Sequence, residues 1–181
     1  MEIQINRQEL ITDVASTIRD IPDFPKPGIL FKDITTVLRD GKLYGRLCRY
    51  YAQQVQAAGC NVVAGIEARG FLFAAPVAAM LDLPLALIRK PGKLPWKTKS
   101  ASYALEYGTD TIVMHEDAVL AGERVALLDD LLATGGTAGA AVSLIQELGG
   151  EVGFVGFVIE LEFLNGRALL PDLPIDALVK C

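Results

Sequence analysis

Between Val125 and Thr137 the chain reads VALLDDLLATGGT, an apolar run that ends in paired aspartates and then in a turn of small residues. The run Val125 to Leu128 has the length and composition of a fully buried strand. From Thr137 through Leu148, apolar residues at 138, 141, 142, 145 and 148 fall on one helical face. A buried strand feeding directly into an amphipathic helix predicts a parallel sheet, with the acidic pair and the glycines at the strand-to-helix turn. There the first helical turn presents unpaired backbone N–H groups and the positive end of its dipole, which favour an anion. Gly135, Gly136 and the hydroxyls of Thr134 and Thr137 let the backbone of Ala133 to Thr137 wrap closely around a phosphate. Asp129 and Asp130 would repel that phosphate unless they faced sugar hydroxyls or a cation. Taken alone, such a pair also serves to end a strand and cap a turn. The Walker A form GxxxxGK[ST] and the dinucleotide form GxGxxG are both absent.

The rest of the chain follows the same alternation. Arg7 to Arg19 fits a first helix, and PDFPKPG, with Pro22, Pro25, Pro27 and Gly28, follows as an irregular turn. Lys42 to Ala58 fits a second helix closed by Gly59, Val62 to Ile66 a strand, Phe71 to Leu81 a helix and Leu85 to Arg89 a strand. Ala101 to Glu106 and Thr111 to His115 fit a hairpin around Gly108, and Gly149-Gly150 stops the later helix before a strand from Val152 to Ile159. The pattern predicts an α/β fold, a central mostly parallel sheet flanked by helices, with ligands at the carboxyl ends of the strands. A chain of 181 residues, 51% of them hydrophobic, is long enough for one domain spanning 1–181 with a substantial core.

Charge and cysteine usage exclude some classes. Seventeen Lys and Arg against 22 Asp and Glu give a formal net charge of −5, which argues against general nucleic-acid binding. No stretch reads as a signal peptide or a membrane span. Cys48, Cys60 and Cys181 are odd in number and widely spaced, so a reducing cytoplasm without a disulfide framework is expected. His115, the only histidine, is assigned no catalytic duty.

Three further segments carry chemistry. GIEARGFLF, Gly65 to Phe73, repeats the strand-turn-helix logic with Glu67, Ala68, Arg69 and Gly70 at the turn, where an arginine can grip a diphosphate in bidentate fashion. LIRKPGKLPWKTKSASYALEYG, Leu87 to Gly108, sets Arg89, Lys90, Lys93, Lys97 and Lys99 beside Pro91, Gly92 and Pro95, as in a flexible cationic lid or an ordinary solvated loop. FPKPGILFKDIT, Phe24 to Thr35, and the later VIELEFLNGR hold Leu30, Phe31, Lys32 and Leu161, which composition alone would assign in part to a core.

From about Ile21 to Gly166 these motifs, in this order, resemble the type I phosphoribosyltransferase family, and in particular its adenine-specific members. The resemblance implies that fold, with residues 1–36 as a small amino-terminal hood over the base and 92–115 as a flexible catalytic loop and hairpin. It implies purine salvage by a pentosyltransferase: adenine and phosphoribosyl diphosphate (PRPP) give AMP and diphosphate. Ala133, Thr134, Gly135, Gly136 and Thr137 would hold the 5-phosphate, and Asp129 and Asp130 the ribose hydroxyls. Glu67, Ala68, Arg69 and Gly70 would form the diphosphate loop, with the Glu67–Ala68 peptide a candidate for the cis form. Arg89, Lys90 and Lys93 would reach the diphosphate of the neighbouring subunit in a homodimer. Glu106 and Tyr107 match a Glu-Tyr pair of the catalytic loop, a carboxylate there being suited to accept the purine N–H proton. Leu30 and Lys32 would recognise the base through backbone groups, while Phe31 and Leu161 would stack on its two faces. Mg²⁺ would be bound mainly through PRPP, and no residue is assigned as its direct ligand. The family often carries Arg where Lys32 stands and Asp where Glu67 stands. Another base specificity, or a PRPP-sensing regulator, are the alternatives; the latter wants an added DNA-binding module and a basic face, for which this acidic chain leaves no room.

Overall fold

A computed structural model describes residues 5–104 and 108–181. It divides into two compact units, Met1–Tyr50 and Tyr51–Cys181. In the first, helix α1 (Arg7–Thr17) starts on Asn6, whose side-chain oxygen accepts from the N–H groups of Gln8 and Glu9 at 3.1 and 3.2 Å. Its Leu10 and Val14, one turn apart, are buried. Strands β1 (Arg19–Pro22) and β2 (Leu30–Asp33) form an antiparallel hairpin that pairs Asp20 with Lys32 and Ile21 with Phe31. The proline-rich turn joins them, with a cis Phe24–Pro25 bond. This hairpin was not expected from the sequence, because strands of four residues beside three prolines leave no periodicity to detect. Short helix α2 (Thr35–Arg39) follows, and α3 (Gly41–Ala57) begins on Asp40, which accepts from the N–H groups of Lys42 and Leu43 at 3.0 Å each. Arg46 of α3 reaches back to α1, 2.6 Å from Asp13 and 3.2 Å from Glu9.

The second unit is built on a five-stranded parallel sheet. Its elements are β3 (Val62–Ile66), α4 (Phe71–Leu81), β4 (Leu85–Ile88), β5 (Thr98–Ala104), β6 (Thr109–His115), β7 (Arg124–Leu132), α5 (Gly136–Glu147), β8 (Glu151–Glu160) and β9 (Ile175–Lys180). The sheet runs β4-β3-β7-β8-β9, every pair parallel, while β5 and β6 form a separate antiparallel hairpin. All five residues of β3 are buried, as a strand covered on both faces requires. Val125, Leu127, Val155, Phe157, Ala141 and Ile145 join it in one core with the inward faces of β4 and β6.

Two differences from expectation bear on function. Strand β7 continues past Leu128 to Leu132, so the aspartates lie on the strand and the turn begins at Ala133. Pairing with the ten-residue β8, Asp129 opposite Phe157 and Leu132 opposite Glu160, carries it on. The second difference is β9, which the sequence pattern did not reveal. No helix among the described residues is long and apolar enough to cross a membrane.

Candidate active site

The register Gly65 to Leu128 sets β3 beside β7, so the turns that follow them open on one edge of the sheet. At the tip of β3 the Glu67–Ala68 peptide is cis. Gly70 then starts α4 so close to both strands that a Cβ there would fall 2.6 Å from the Ile66 carbonyl oxygen and 2.8 Å from that of Leu128. Arg69, between them, points across to β7 and places its Nε 2.9 Å from Asp130 Oδ2. The two sequence motifs therefore meet in one place.

A cavity of ≈ 370 Å³ opens here, within the range of small-molecule sites. Its polar wall is Glu67, Arg69, Arg89, Lys90, Asp129, Asp130 and Thr137, and its remaining lining includes Ile66, Ala68, Ile88, Tyr103, Ile112 and Ala133. A smaller recess of ≈ 80 Å³ continues from Asp129 over Ala133, Thr134, Gly135, Gly136 and Thr137. Gly135 takes φ 85°, and no side chain caps α5, so the recess faces uncapped N–H groups of the first helical turn.

Charge is arranged in three zones. Asp129 and Asp130 sit side by side, the Asp130 N–H donating to Asp129 Oδ1 at 2.8 Å. Burial, and then the Asp130 charge, push Asp129 well above the ordinary carboxylate range. Burial also raises Asp130, against the opposing pull of Arg69. On the opposite wall, Arg89 forms a fork on Glu67, both N···O distances being 3.1 Å, and the Lys90 N–H donates to the same carboxylate at 2.9 Å. These bonds hold Glu67 below its usual range. Lys90 is tied to Asp110 and, at 3.3 Å, to the Tyr103 hydroxyl, which itself donates to Asp110 at 3.1 Å. Burial, which disfavours the ammonium, is outweighed by those partners, so Lys90 stays above the ordinary lysine value. The third zone is the N–H-lined recess. Cations, then carboxylates, then backbone donors suit a ligand with anionic groups at both ends and hydroxyls between.

Other sequence candidates lie elsewhere or outside the described residues. Arg89 and Lys90 line the cavity of their own chain, whereas exposed Lys93 does not; its carbonyl accepts from Arg89 at 3.0 Å. In the amino-terminal unit, Leu30 is exposed, Phe31 packs edge-on against Phe24 with ring centroids 5.1 Å apart, and Lys32 is paired with Asp20 at 2.7 Å. Leu161 is half-buried at the end of β8. Glu106 and Tyr107 lie outside the described residues. Tyr103 and Asp110 were missed: the alternation of Ala101 and Tyr103 marks an inward face of β5 but not a functional one. Among the described residues no group of three or more His, Cys, Asp or Glu side chains could hold a metal ion.

Comparison with known proteins agrees with this geometry. Residues 36–163 match the model of the phosphoribosyl transferase domain. The adenine phosphoribosyltransferase of Geotalea daltonii is 50% identical over 168 residues, 93% of this chain and 98% of that protein. Crystal structures of the adenine phosphoribosyltransferases of Thermoanaerobacter pseudethanolicus and Saccharomyces cerevisiae superpose with TM-scores of 0.91 and 0.90, at 48% and 34% identity. Each comparison covers 94% of this chain and 99% of the other. With such identity over nearly its whole length, the chain belongs to the phosphoribosyl transferase domain family and, within it, to the adenine phosphoribosyltransferases.

Proposed function

We propose that the chain transfers the 5-phosphoribosyl group of PRPP to adenine, releasing diphosphate and forming AMP in purine salvage. The observation that carries this is the meeting of Arg69 and Asp130, 2.9 Å apart, in a cavity that shares Asp129, Ala133 and Thr137 with the recess over residues 133–137. It is supported by 50% identity to a named adenine phosphoribosyltransferase, and by the yeast relative at 34% identity, which was solved with adenine and an imino-altritol bisphosphate.

The 5-phosphate sits on Ala133 to Thr137, its charge met by α5 and the loop N–H groups. Asp129 and Asp130 accept from the ribose 2- and 3-hydroxyls, which favours their ionised forms and fixes the sugar. Arg69 and Lys90 face the diphosphate, and Glu67 acts by aiming Arg89. A purine ring nitrogen attacks C1 as the bond from C1 to diphosphate oxygen breaks, and Glu106, with Tyr107 beside it, accepts the N–H proton. Leu30 and Lys32 read the base edge through backbone groups; Phe31 and Leu161 stack on it. Mg²⁺, bound mainly through PRPP oxygens, would help neutralise the leaving diphosphate. Residues 1–36 act as the hood and 92–115 as the catalytic loop and hairpin of one phosphoribosyltransferase domain.

The enzyme works as a cytoplasmic homodimer in which Lys93 of one protomer reaches the neighbouring site, while Arg89 and Lys90 serve their own. Helix α4 is apolar all round yet leaves Leu72 and Met80 exposed, and Leu85 and Leu87 are exposed on edge strand β4 next to it. Three free cysteines suit a reducing compartment. Incubation with Mg²⁺, PRPP and each of adenine, hypoxanthine, guanine and xanthine tests the assignment. AMP and diphosphate should form in equal amounts with adenine alone; a nucleotide from another base instead would overturn the specificity.

A further inference from the structure

We infer that the segment after β8 shapes the phosphate recess from behind, making Gly166 and Arg167 positioning residues for the 5-phosphate. This deepens the transferase assignment above and rests on it. The loop at 133–135 and the segment at 166 interlock through their backbones. A Cβ on Gly135 would fall 2.2 Å from the Gly166 carbonyl oxygen. A Cβ on Gly166 would fall 2.3 Å from the Ala133 carbonyl oxygen and 3.0 Å from the Gly135 nitrogen. Neither position has room for a side chain, so the two strands of backbone fix each other's height.

The outer strand of this contact is pinned to the sheet. Arg167, next in sequence, places Nε and Nη2 2.7 and 2.8 Å from the two oxygens of Glu160, the last residue of β8, which is 4% exposed. Its Nη1 donates to the Ile175 carbonyl at 3.3 Å, at the start of β9. Asn165, at φ 50°, turns the chain so that Gly166 faces the loop, and the Leu161 N–H donates to the Leu132 carbonyl at 2.9 Å just before that loop begins. The Glu160 carboxyl, hydrogen-bonded by Arg167, is held below its ordinary range and stays ionised. A recess that binds through backbone N–H groups needs them within a few tenths of an ångström of the phosphate oxygens. The two-stranded contact backed by an ion pair supplies that precision, while neither residue lines the cavity or the recess.

The test measures steady-state kinetics with PRPP and adenine varied separately, and calorimetric binding of ribose 5-phosphate without base, for wild type, Gly166→Ala, Arg167→Met and Arg167→Lys. Gly166→Ala should raise the KM for PRPP and the Kd for ribose 5-phosphate at least tenfold, with kcat and the KM for adenine within threefold, the signature of a lost ground-state contact. Arg167→Met should act in the same direction, and Arg167→Lys should recover part of the loss. Should Gly166→Ala fail to fold, the Arg167 pair carries the test. Ribose 5-phosphate affinity unchanged in folded variants would overturn the inference, as would equal changes in the two KM values and kcat. If wild type makes no AMP but its ribose 5-phosphate binding weakens in these variants, the transferase assignment fails and the positioning role stands.

Discussion

Asp130 and Asp129 are neighbours in sequence but not equals. Asp130 is buried and paired with Arg69, whereas Asp129 is half-buried and accepts from the Asp130 backbone. Replacing Asp130 by Ala removes a charge-assisted bond worth roughly 1.5–3 kcal/mol and breaks the ion pair with Arg69. Turnover at limiting PRPP should fall by about one to two powers of ten, as initial rates will reveal; an unchanged rate would remove the acid pair from the site. The same scale separates what the residues disclosed from what they concealed. Paired aspartates before a glycine-rich turn were legible as a sugar and phosphate site only with the surrounding strand-turn-helix pattern and the family resemblance it carries. Tyr103 and Asp110 were not, because each is an ordinary strand residue until the register of β5 on β6 sets them opposite one another beside Lys90.

At the scale of elements, the β1–β2 hairpin depends on one carboxylate. Asp33 accepts from the Thr35 N–H and hydroxyl, both at 2.9 Å, and from Arg19 at 2.6 Å. These bonds, the Thr35 backbone first, lower its pKa from 3.8 to about 2. A depressed acid stabilises the fold fully above its unfolded value, and that contribution is lost as pH falls through about 2. Urea unfolding of wild type and Asp33→Asn should therefore differ most above pH 4 and converge towards pH 2. A constant gap across that range would mean that Asp33 acts through shape alone. Strands β3, β4, β7 and β8 and helices α4 and α5 were visible in the sequence because continuous apolar runs and helical spacing report burial directly. The hairpin was hidden by its prolines, β9 by Asp176, which interrupts its apolar run, and the true end of β7 by its dependence on β8, a partner that local pattern does not name.

For the whole molecule, the exposed apolar surface of α4 and β4 predicts self-association. Leu72→Glu with Met80→Glu should convert a dimer to a monomer in sedimentation velocity, and should lower turnover if Lys93 is delivered across the interface. A dimer that survives both changes would place the contact elsewhere. Burial raises the pKa of Asp129 and of Asp130, so both carboxyls hold their protons more tightly than free ones and ligand binding at the pair is linked to protonation. On the proposed assignment, hydroxyls donating to the pair lower these pKa values again, so binding between the free and the liganded titration ranges should release hydrogen ions into solution. The apparent enthalpy of PRPP association will then track the ionisation enthalpy of whichever buffer takes them up, and the slope of that dependence will count them.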